Sequence, residues 1–184
     1  MTAALLSVLT ALLCVLSATA QPQPQKDFNL EKFSGKWYLT GMGSNAQWFM
    51  NKKSWMKMVT TVFTPTAEGN LDVVITSDKE GDCWQMRHLF VKTETPGRFT
   101  FYSKAWASDN DVRMVETNYD EFALVHTINI KEGNVNIITK LYGRSQELRP
   151  ELIQKFQQHS LAQGLTPDNV LILPKTVECT PNAA

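Results

Sequence analysis

Residues 121–142 read EFALVHTINIKEGNVNIITKLY and contain two strand-like segments on either side of one turn. The segments Glu121–Ile130 and Val135–Tyr142 are rich in the apolar and β-branched residues that favour strands. Between them, Lys131-Glu132-Gly133-Asn134 supplies the glycine typical of a tight connection. The stretch therefore predicts a β-hairpin, and similar patterns occur upstream of it.

Six further strand-like segments precede this hairpin at near-regular spacing. They are Lys36–Thr40, Trp55–Thr64, Leu71–Thr76, Cys83–Lys92, Arg98–Lys104 and Val112–Thr117. Turn signals separate most of them, among them Glu68-Gly69-Asn70, Pro96-Gly97 and Asp109-Asn110-Asp111. Eight strands joined mostly by hairpin-type turns predict an all-β, up-and-down antiparallel barrel.

The periodicity changes to that of a helix after the eighth strand. Pro150 suits a first helical turn, the amphipathic pattern continues to about Gln163, and Gly164 favours a C-terminal stop. A short strand, Val170–Leu173, follows. One helix packed outside covers only part of an eight-stranded sheet, so the sheet either closes on itself or packs as a sandwich. Closure leaves an interior large enough for side chains or for one small ligand.

The two ends of the chain differ from this core. Residues 1–20 form an apolar run ending in Ala18-Thr19-Ala20, which predicts a cleaved signal peptide, with a signal anchor as the alternative. Residues 21–28 are predicted to form a flexible N-terminus, and 29–184 one domain. Eighteen basic and eighteen acidic residues balance, so no nucleic-acid partner is expected. We expect a secreted monomer without a membrane span.

The cysteines agree with secretion. Cys14 would leave with the signal peptide, and Cys83 and Cys179 would remain as an even pair in an oxidising compartment. One disulfide is predicted, with two free thiols as the alternative. If Cys83 is bonded outside the barrel, strand alternation turns Trp84, Met86, His88 and Phe90 inward. That composition is typical of an apolar pocket with one polar group.

Three segments carry a resemblance to a known family. Gly35-Lys36-Trp37-Tyr38 matches a G-x-W signature, Thr117–Ala123 is close to T-D-Y-x-x-Y-A, and Leu141-Tyr142-Gly143-Arg144 places an arginine after the last strand. In this order and spacing they resemble the lipocalins over essentially the whole mature chain. The resemblance implies that Trp37 plugs the closed end of the barrel and that Arg144 packs across it.

Within that family the chain looks most like the lipocalin-type prostaglandin D synthases. Ser44–Trp48 and Val115–Thr117 are among the similar segments. The cysteine that performs the isomerisation in those enzymes is replaced by Val59, and Thr61 is a poor substitute without an adjacent base. We therefore expect no catalytic residues, no metal and no cofactor, with prostaglandin-H2 D-isomerase activity as the alternative.

The expected function is that of a carrier for a small hydrophobic ligand, such as a retinoid, a fatty acid or a prostanoid. The predicted lining is apolar except for a few polar groups, of which Lys140 and His88 are suited to orient a ligand's head group. It comprises Leu39, Trp48, Val59, Thr61, Phe63, Val73, Ile75, Met86, His88, Phe90, Phe101, Trp106, Val112, Met114, Val125, Lys140 and Tyr142. Two alternatives stay open: these residues fill a dry core, or the barrel is a scaffold for a protein partner. The apolar loop Trp48–Met50 is interpreted as a lid.

Overall fold

The computed structural model describes residues 21–79 and 81–179. Its strands are β1 Gly35–Ser44, β2 Val59–Pro65, β3 Leu71–Lys79, β4 Asp82–Lys92, β5 Arg98–Ser103, β6 Ser108–Thr117, β7 Phe122–Lys131, β8 Asn134–Gly143 and β9 Val170–Ile172. Its helices are α1 Leu30–Phe33, α2 Gln47–Lys52 and α3 Pro150–Ala162, with 3₁₀ turns at Lys53–Trp55 and Pro167–Asn169. The signal-peptide prediction, 1–20, lies outside the described residues.

Strand β1 closes the sheet into a barrel. Strands β2 to β8 pair in chain order, β8 pairs with β1, and β1 also pairs with β2. The first half of β1 runs against β2, from Gly35 opposite Phe63 to Leu39 opposite Val59. A β-bulge between Leu39 and Gly41 shifts the register against β8, and β9 pairs with β1 beyond β2. The predicted eight-stranded antiparallel barrel is confirmed, and the sandwich alternative is wrong.

The prediction of a turn at Asp109-Asn110-Asp111 is wrong. Strand β6 starts at Ser108, and Asn110 lies opposite Phe101 in β5. The Asn110 amide donates to the Ser108 carbonyl oxygen at 3.1 Å, and its oxygen accepts from Asn129 at 2.9 Å. Because these bonds satisfy a buried amide, a residue type typical of turns is accommodated inside a strand. The second strand also starts later than predicted, at Val59, since Trp55 ends a 3₁₀ turn.

Helix α3 packs on the outside of the barrel, as predicted. Leu152 and Phe156 are buried against the outward side chains of β7 and β8, including Leu124 and Leu141. Strand β1 has Gly41 at the contact, where a Cβ would lie 2.8 Å from the Phe156 ring. The glycine therefore permits the close approach of helix and strand.

The N-terminal segment is attached to the barrel from Gln25 onwards. The Gln25 backbone N–H donates to the Met114 carbonyl oxygen at 2.8 Å, and its side-chain oxygen accepts from the Thr117 N–H at 2.6 Å. The Asn29 N–H donates to the Tyr119 hydroxyl at 2.9 Å. The prediction of a flexible segment over 21–28 did not anticipate these bonds, because its sequence carries no strand or helix pattern.

A buried histidine lies between the barrel wall and α3. His126 of β7 is 1% exposed, and its ring centroid is 6.2 Å from that of His159 in α3. Neither ring nitrogen of His126 has a hydrogen-bond partner among the described residues. The pKa of His126 is lowered to about 4, mainly by burial and also by the charges of His159 and Arg113, while Asp111 opposes the shift. Burial also lowers the pKa of His159, which Glu116 opposes.

We expect His126 to make the fold sensitive to acid. Its pKa is about 4 in the folded protein and about 6.5 when unfolded, so the unfolded state binds its proton at the higher pH. The contribution of His126 to the free energy of unfolding is therefore complete above pH 6.5 and is lost as the pH falls towards 4. The loss between pH 6.5 and pH 5 is about 2 kcal/mol. Urea unfolding of the wild type and of His126→Phe at both pH values measures this difference.

In the Phe variant, the free energy of unfolding should change less between the two pH values, because one titrating group is removed. His159 retains its own contribution. An equal pH dependence in the two proteins would show that the acid sensitivity arises elsewhere.

Candidate ligand-binding site

One end of the barrel is sealed by an indole and a guanidinium. Trp37 is fully buried, its ring N–H donates to the Phe33 carbonyl oxygen at 2.8 Å, and its ring stacks on Phe33 with centroids 5.1 Å apart. The guanidinium carbon of Arg144 lies 3.8 Å from the centre of the Trp37 ring. This cation–π contact places a rigid planar pair across the barrel floor.

The same guanidinium binds four backbone carbonyl oxygens. They belong to Lys36 at 2.8 Å, Tyr119 at 2.9 Å, Ser34 at 2.9 Å and Lys32 at 3.2 Å. Arg144, which directly follows β8, therefore joins α1, the start of β1 and the loop before β7. A planar fork of donors suits this arrangement, whereas a lysine ammonium presents a point charge.

Above this floor the inward side chains enclose a cavity. The space that the centres of water-sized spheres can occupy is about 40 Å³, and the non-atom space is about 340 Å³ when the open mouth is counted. The lining is Phe63, Phe90, Phe101, Asn110, Val112, Met114, Val125, Thr127, Ile138, Lys140 and Tyr142. These side chains come from β2, β4, β5, β6, β7 and β8, so the cavity exists only because the sheet closes.

The cavity has an aromatic side and a more polar side. The rings of Phe90 and Phe101 stack with centroids 4.5 Å apart, and Phe63 meets Tyr142 edge-on at 5.6 Å. The polar groups Asn110, Thr127 and Lys140 come from the neighbouring strands β6, β7 and β8. This division suits a ligand with an apolar body and one polar end.

The open end is partly covered by the segment between β1 and β2. Phe49 of α2 is fully buried in the same apolar cluster as the barrel interior, and Met50 and Met56 pack against that cluster. The Asn45 side-chain oxygen accepts from the Ile137 N–H at 2.8 Å, which ties the segment to β8. Phe49 therefore extends the apolar wall of the interior towards the mouth.

Comparison with known proteins identifies the family. Residues 34–177 match the Lipocalin / cytosolic fatty-acid binding protein family. The chain is a lipocalin. It is 52% identical over 155 residues to a protein from Rhinella marina named Lipocalin, with 84% of this chain and 85% of that protein covered. Lipocalins bind small hydrophobic ligands in the barrel, and its relatives are typically secreted.

Other relatives of this lipocalin differ in activity. A prostaglandin-H2 D-isomerase from Felis catus is 37% identical over 175 residues, covering 94% of this chain and 92% of that enzyme. The solved structure of the siderocalin Ex-FABP, described as functioning through dual ligand specificities, superposes with a TM-score of 0.70 at 27% identity. It covers 80% of this chain and 97% of that structure. The family is thus mostly one of carriers, with isomerases among the relatives.

The lipocalin's predicted lining residues fall into four groups. Eight line the cavity: Phe63, Phe90, Phe101, Val112, Met114, Val125, Lys140 and Tyr142. Leu39 and Val73 belong to the buried interior cluster, Val59 and Ile75 pack against it, and Thr61 is 1% exposed. Met86 and His88 are half-buried on β4. Trp48 and Trp106 lie at the open end, 37% and 50% exposed, with the Lys52 ammonium 5.9 Å from the Trp106 ring.

Three cavity residues were missed by the sequence prediction, namely Asn110, Thr127 and Ile138. Each lies two positions along its strand from a predicted lining residue that borders the cavity, so alternation along the strand also points to it. The sequence pattern predicts a turn at Asn110, and the predicted lining names only Val125, Lys140 and Tyr142 from β7 and β8.

The disulfide is as predicted from the sequence. Cys83 at the start of β4 is bonded to Cys179, with their Cα atoms 5.5 Å apart. Within residues 21–79 and 81–179, no helix is both long and apolar enough to cross a bilayer. In that same part of the chain, no three His, Cys, Asp or Glu side chains are grouped as a metal site requires.

We expect Arg144→Met to destabilise the lipocalin by about 2–4 kcal/mol, because it leaves carbonyl oxygens unpaired at a partly buried site. Arg87→Met is the matched control, since Arg87 is 72% exposed and pairs with Asp72 at the surface. That change should cost less than about 1 kcal/mol. Denaturant unfolding of both variants checks the difference, and equal losses would contradict a special role for Arg144.

Proposed function

We propose that this lipocalin is a secreted carrier that holds one small hydrophobic ligand in the cavity above Trp37. The observation that carries the proposal is the lining of the space inside the closed barrel, with aromatic side chains on one side and a few polar groups on the other. A sealed floor and a partly covered mouth allow a ligand to be removed from water on nearly all sides. The N-terminal sequence and the disulfide support secretion. Mass spectrometry of the exported chain tests whether cleavage occurs after Ala20.

Apolar burial is sufficient to hold such a ligand. A small lipid that buries about 300 Å² of apolar surface gains roughly 8 kcal/mol at 25 cal/mol per Å². Association and ordering offset several kcal/mol of this gain. The preformed wall lowers that cost, because Phe63, Phe90 and Phe101 already pack against one another or against neighbours.

The wall is proposed to comprise the eight predicted residues that border the cavity, together with Asn110, Thr127 and Ile138. Leu39, Val73, Val59 and Ile75 then form the layer around it. Trp48 and Trp106 stand at the entrance, where they contact a ligand during entry and release.

Transport is favoured over isomerisation because the described interior offers no thiol. The two cysteines within residues 21–79 and 81–179 are Cys83 and Cys179, and they are joined in a disulfide at the start of β4. Val59 has an apolar side chain, and the Thr61 hydroxyl has no hydrogen-bond partner among the described residues. A hydroxyl without a neighbouring base is a weak nucleophile.

The carrier proposal is tested by filling the cavity. Ile138→Trp on the inner face of β8 should weaken the binding of retinol at least ten-fold, because the indole ring is larger than the isoleucine side chain and occupies the ligand's space. Val135→Trp is the control on the same strand, since Val135 is 60% exposed and points away from the cavity. Isothermal titration calorimetry measures both affinities.

Equal weakening by both tryptophans, or the failure of retinol and of every other apolar probe to bind the wild type, would contradict the proposal. Circular dichroism of each variant verifies that the barrel is intact before the titration.

The isomerase alternative is tested by adding prostaglandin H2 and analysing the products. The wild type should form no prostaglandin D2 above the uncatalysed background, because no interior thiol is available to attack the peroxide. Val59→Cys is the comparison. Prostaglandin D2 formation by the wild type would establish isomerase activity and contradict the proposal that the protein is only a carrier.

A further inference from the structure

Lys140 places its side chain in the cavity. It lies on β8 between Val125 of β7 and Met42 of β1, and both of these neighbours are buried in the interior cluster. Its side chain borders the same space as Phe63, Phe90 and Phe101, and the residue is half-buried. A lysine is rarely placed among apolar side chains unless its ammonium has a partner.

Lys140 has no partner in the part of the chain that the structure describes. It makes neither a salt bridge nor a hydrogen bond there, whereas Lys36, Lys155 and Lys175 are each paired with a glutamate. None of the described residues that line the cavity is acidic. Asp111 lies on the outer face of β6, where it pairs with Arg98 and Arg113. The cavity therefore carries an uncompensated positive charge.

His88 on the opposite side of the interior responds to this charge. Its ring lies 4.7 Å from that of Phe101, a cavity residue. Burial is the main cause that lowers the pKa of His88, and the charge of Lys140 lowers it further. His88 is therefore neutral at pH 7, and Lys140 supplies the cation.

Two hydroxyl groups accompany the ammonium. Thr127 lies diagonally across from Lys140 on β7, and Tyr142 is two positions further along β8 on the same face. Neither side-chain hydroxyl is hydrogen-bonded within the described residues, so both are available to donate to a ligand. An ammonium and two hydroxyl groups that border the same cavity suit a carboxylate, which accepts several hydrogen bonds.

We propose that Lys140 binds the carboxylate of an apolar acid, with the ligand's hydrocarbon body against the phenylalanine side of the cavity. This assignment rests on the carrier function proposed above and names its ligand class as small amphiphilic carboxylic acids. The bound carboxylate supplies the counter-charge that the protein side chains do not.

The test compares acids with alcohols of the same carbon skeleton. Retinoic acid is paired with retinol, and dodecanoic acid with dodecanol, so that each pair differs in its head group and the two pairs differ in their hydrocarbon body. Calorimetric titrations at pH 7.4 use the wild type, Lys140→Met, Lys140→Arg and Lys131→Met. Lys131 is exposed at the far end of β7 and serves as the matched lysine control.

Lys140→Met should weaken the binding of an acid by about 10- to 100-fold, the usual contribution of a charge-assisted hydrogen bond. It should change the affinity for the matching alcohol by less than about two-fold, because methionine preserves the apolar volume. Lys140→Arg should keep most of the preference for the acid, and Lys131→Met should behave like the wild type. The wild-type affinities of the two acids show whether a retinoid or a straight-chain acid fits better.

The outcomes separate this assignment from the carrier function. If the wild type binds acids and alcohols and Lys140→Met changes both alike or changes neither, the carrier function stands and the role of Lys140 is wrong. If the wild type binds none of the four probes, both proposals fail. The melting temperature of each variant verifies that a lost affinity does not reflect a lost fold.

Discussion

The pairing of β1 with both β2 and β8 is the constraint on which the rest of the structure depends. Hydrogen bonds from one strand to two partners turn a sheet with edges into a closed barrel. Once the sheet is closed, alternation along every strand becomes a division between inside and outside. The bulge between Leu39 and Gly41 shifts the register of β1 against β8. Strand β9 pairs with the part of β1 that β2 leaves unpaired.

Closure alone produces a tube, and the contact between Trp37 and Arg144 makes it a cup. The guanidinium covers the buried indole and binds carbonyl oxygens from α1, β1 and the loop before β7. Gly35 permits the approach, because its φ of +97° is costly for other residues and a Cβ would lie 3.3 Å from Arg144. The opposite end carries the α2 segment instead, so the two ends have different roles.

The two faces of the same strands carry different chemistry. On β7, Val125 faces the cavity and the next residue, His126, is buried under α3. On β8, Lys140 faces the cavity, whereas the Thr139 hydroxyl shares a 2.8 Å hydrogen bond with Ser160 of the helix. A one-residue shift in register would exchange the cavity-facing cation for the helix-facing hydroxyl. The close packing of α3 against Gly41 and Leu141 therefore also maintains the composition of the cavity.

The amino-acid pattern predicts the number and order of the strands, the outer helix and the disulfide, because strand period, turn residues and cysteine number can be read from the sequence. Other features depend on which strand faces which. Asn110 resembles a turn residue until Asn129 is placed opposite it, and Gln25 resembles a linker residue until Thr117 is placed beside it. Lys140 could be assigned to the inner face by its spacing from Tyr142. That it has no acidic partner among the described residues follows only from folding, since a counter-charge can come from any strand that closure brings across the cavity.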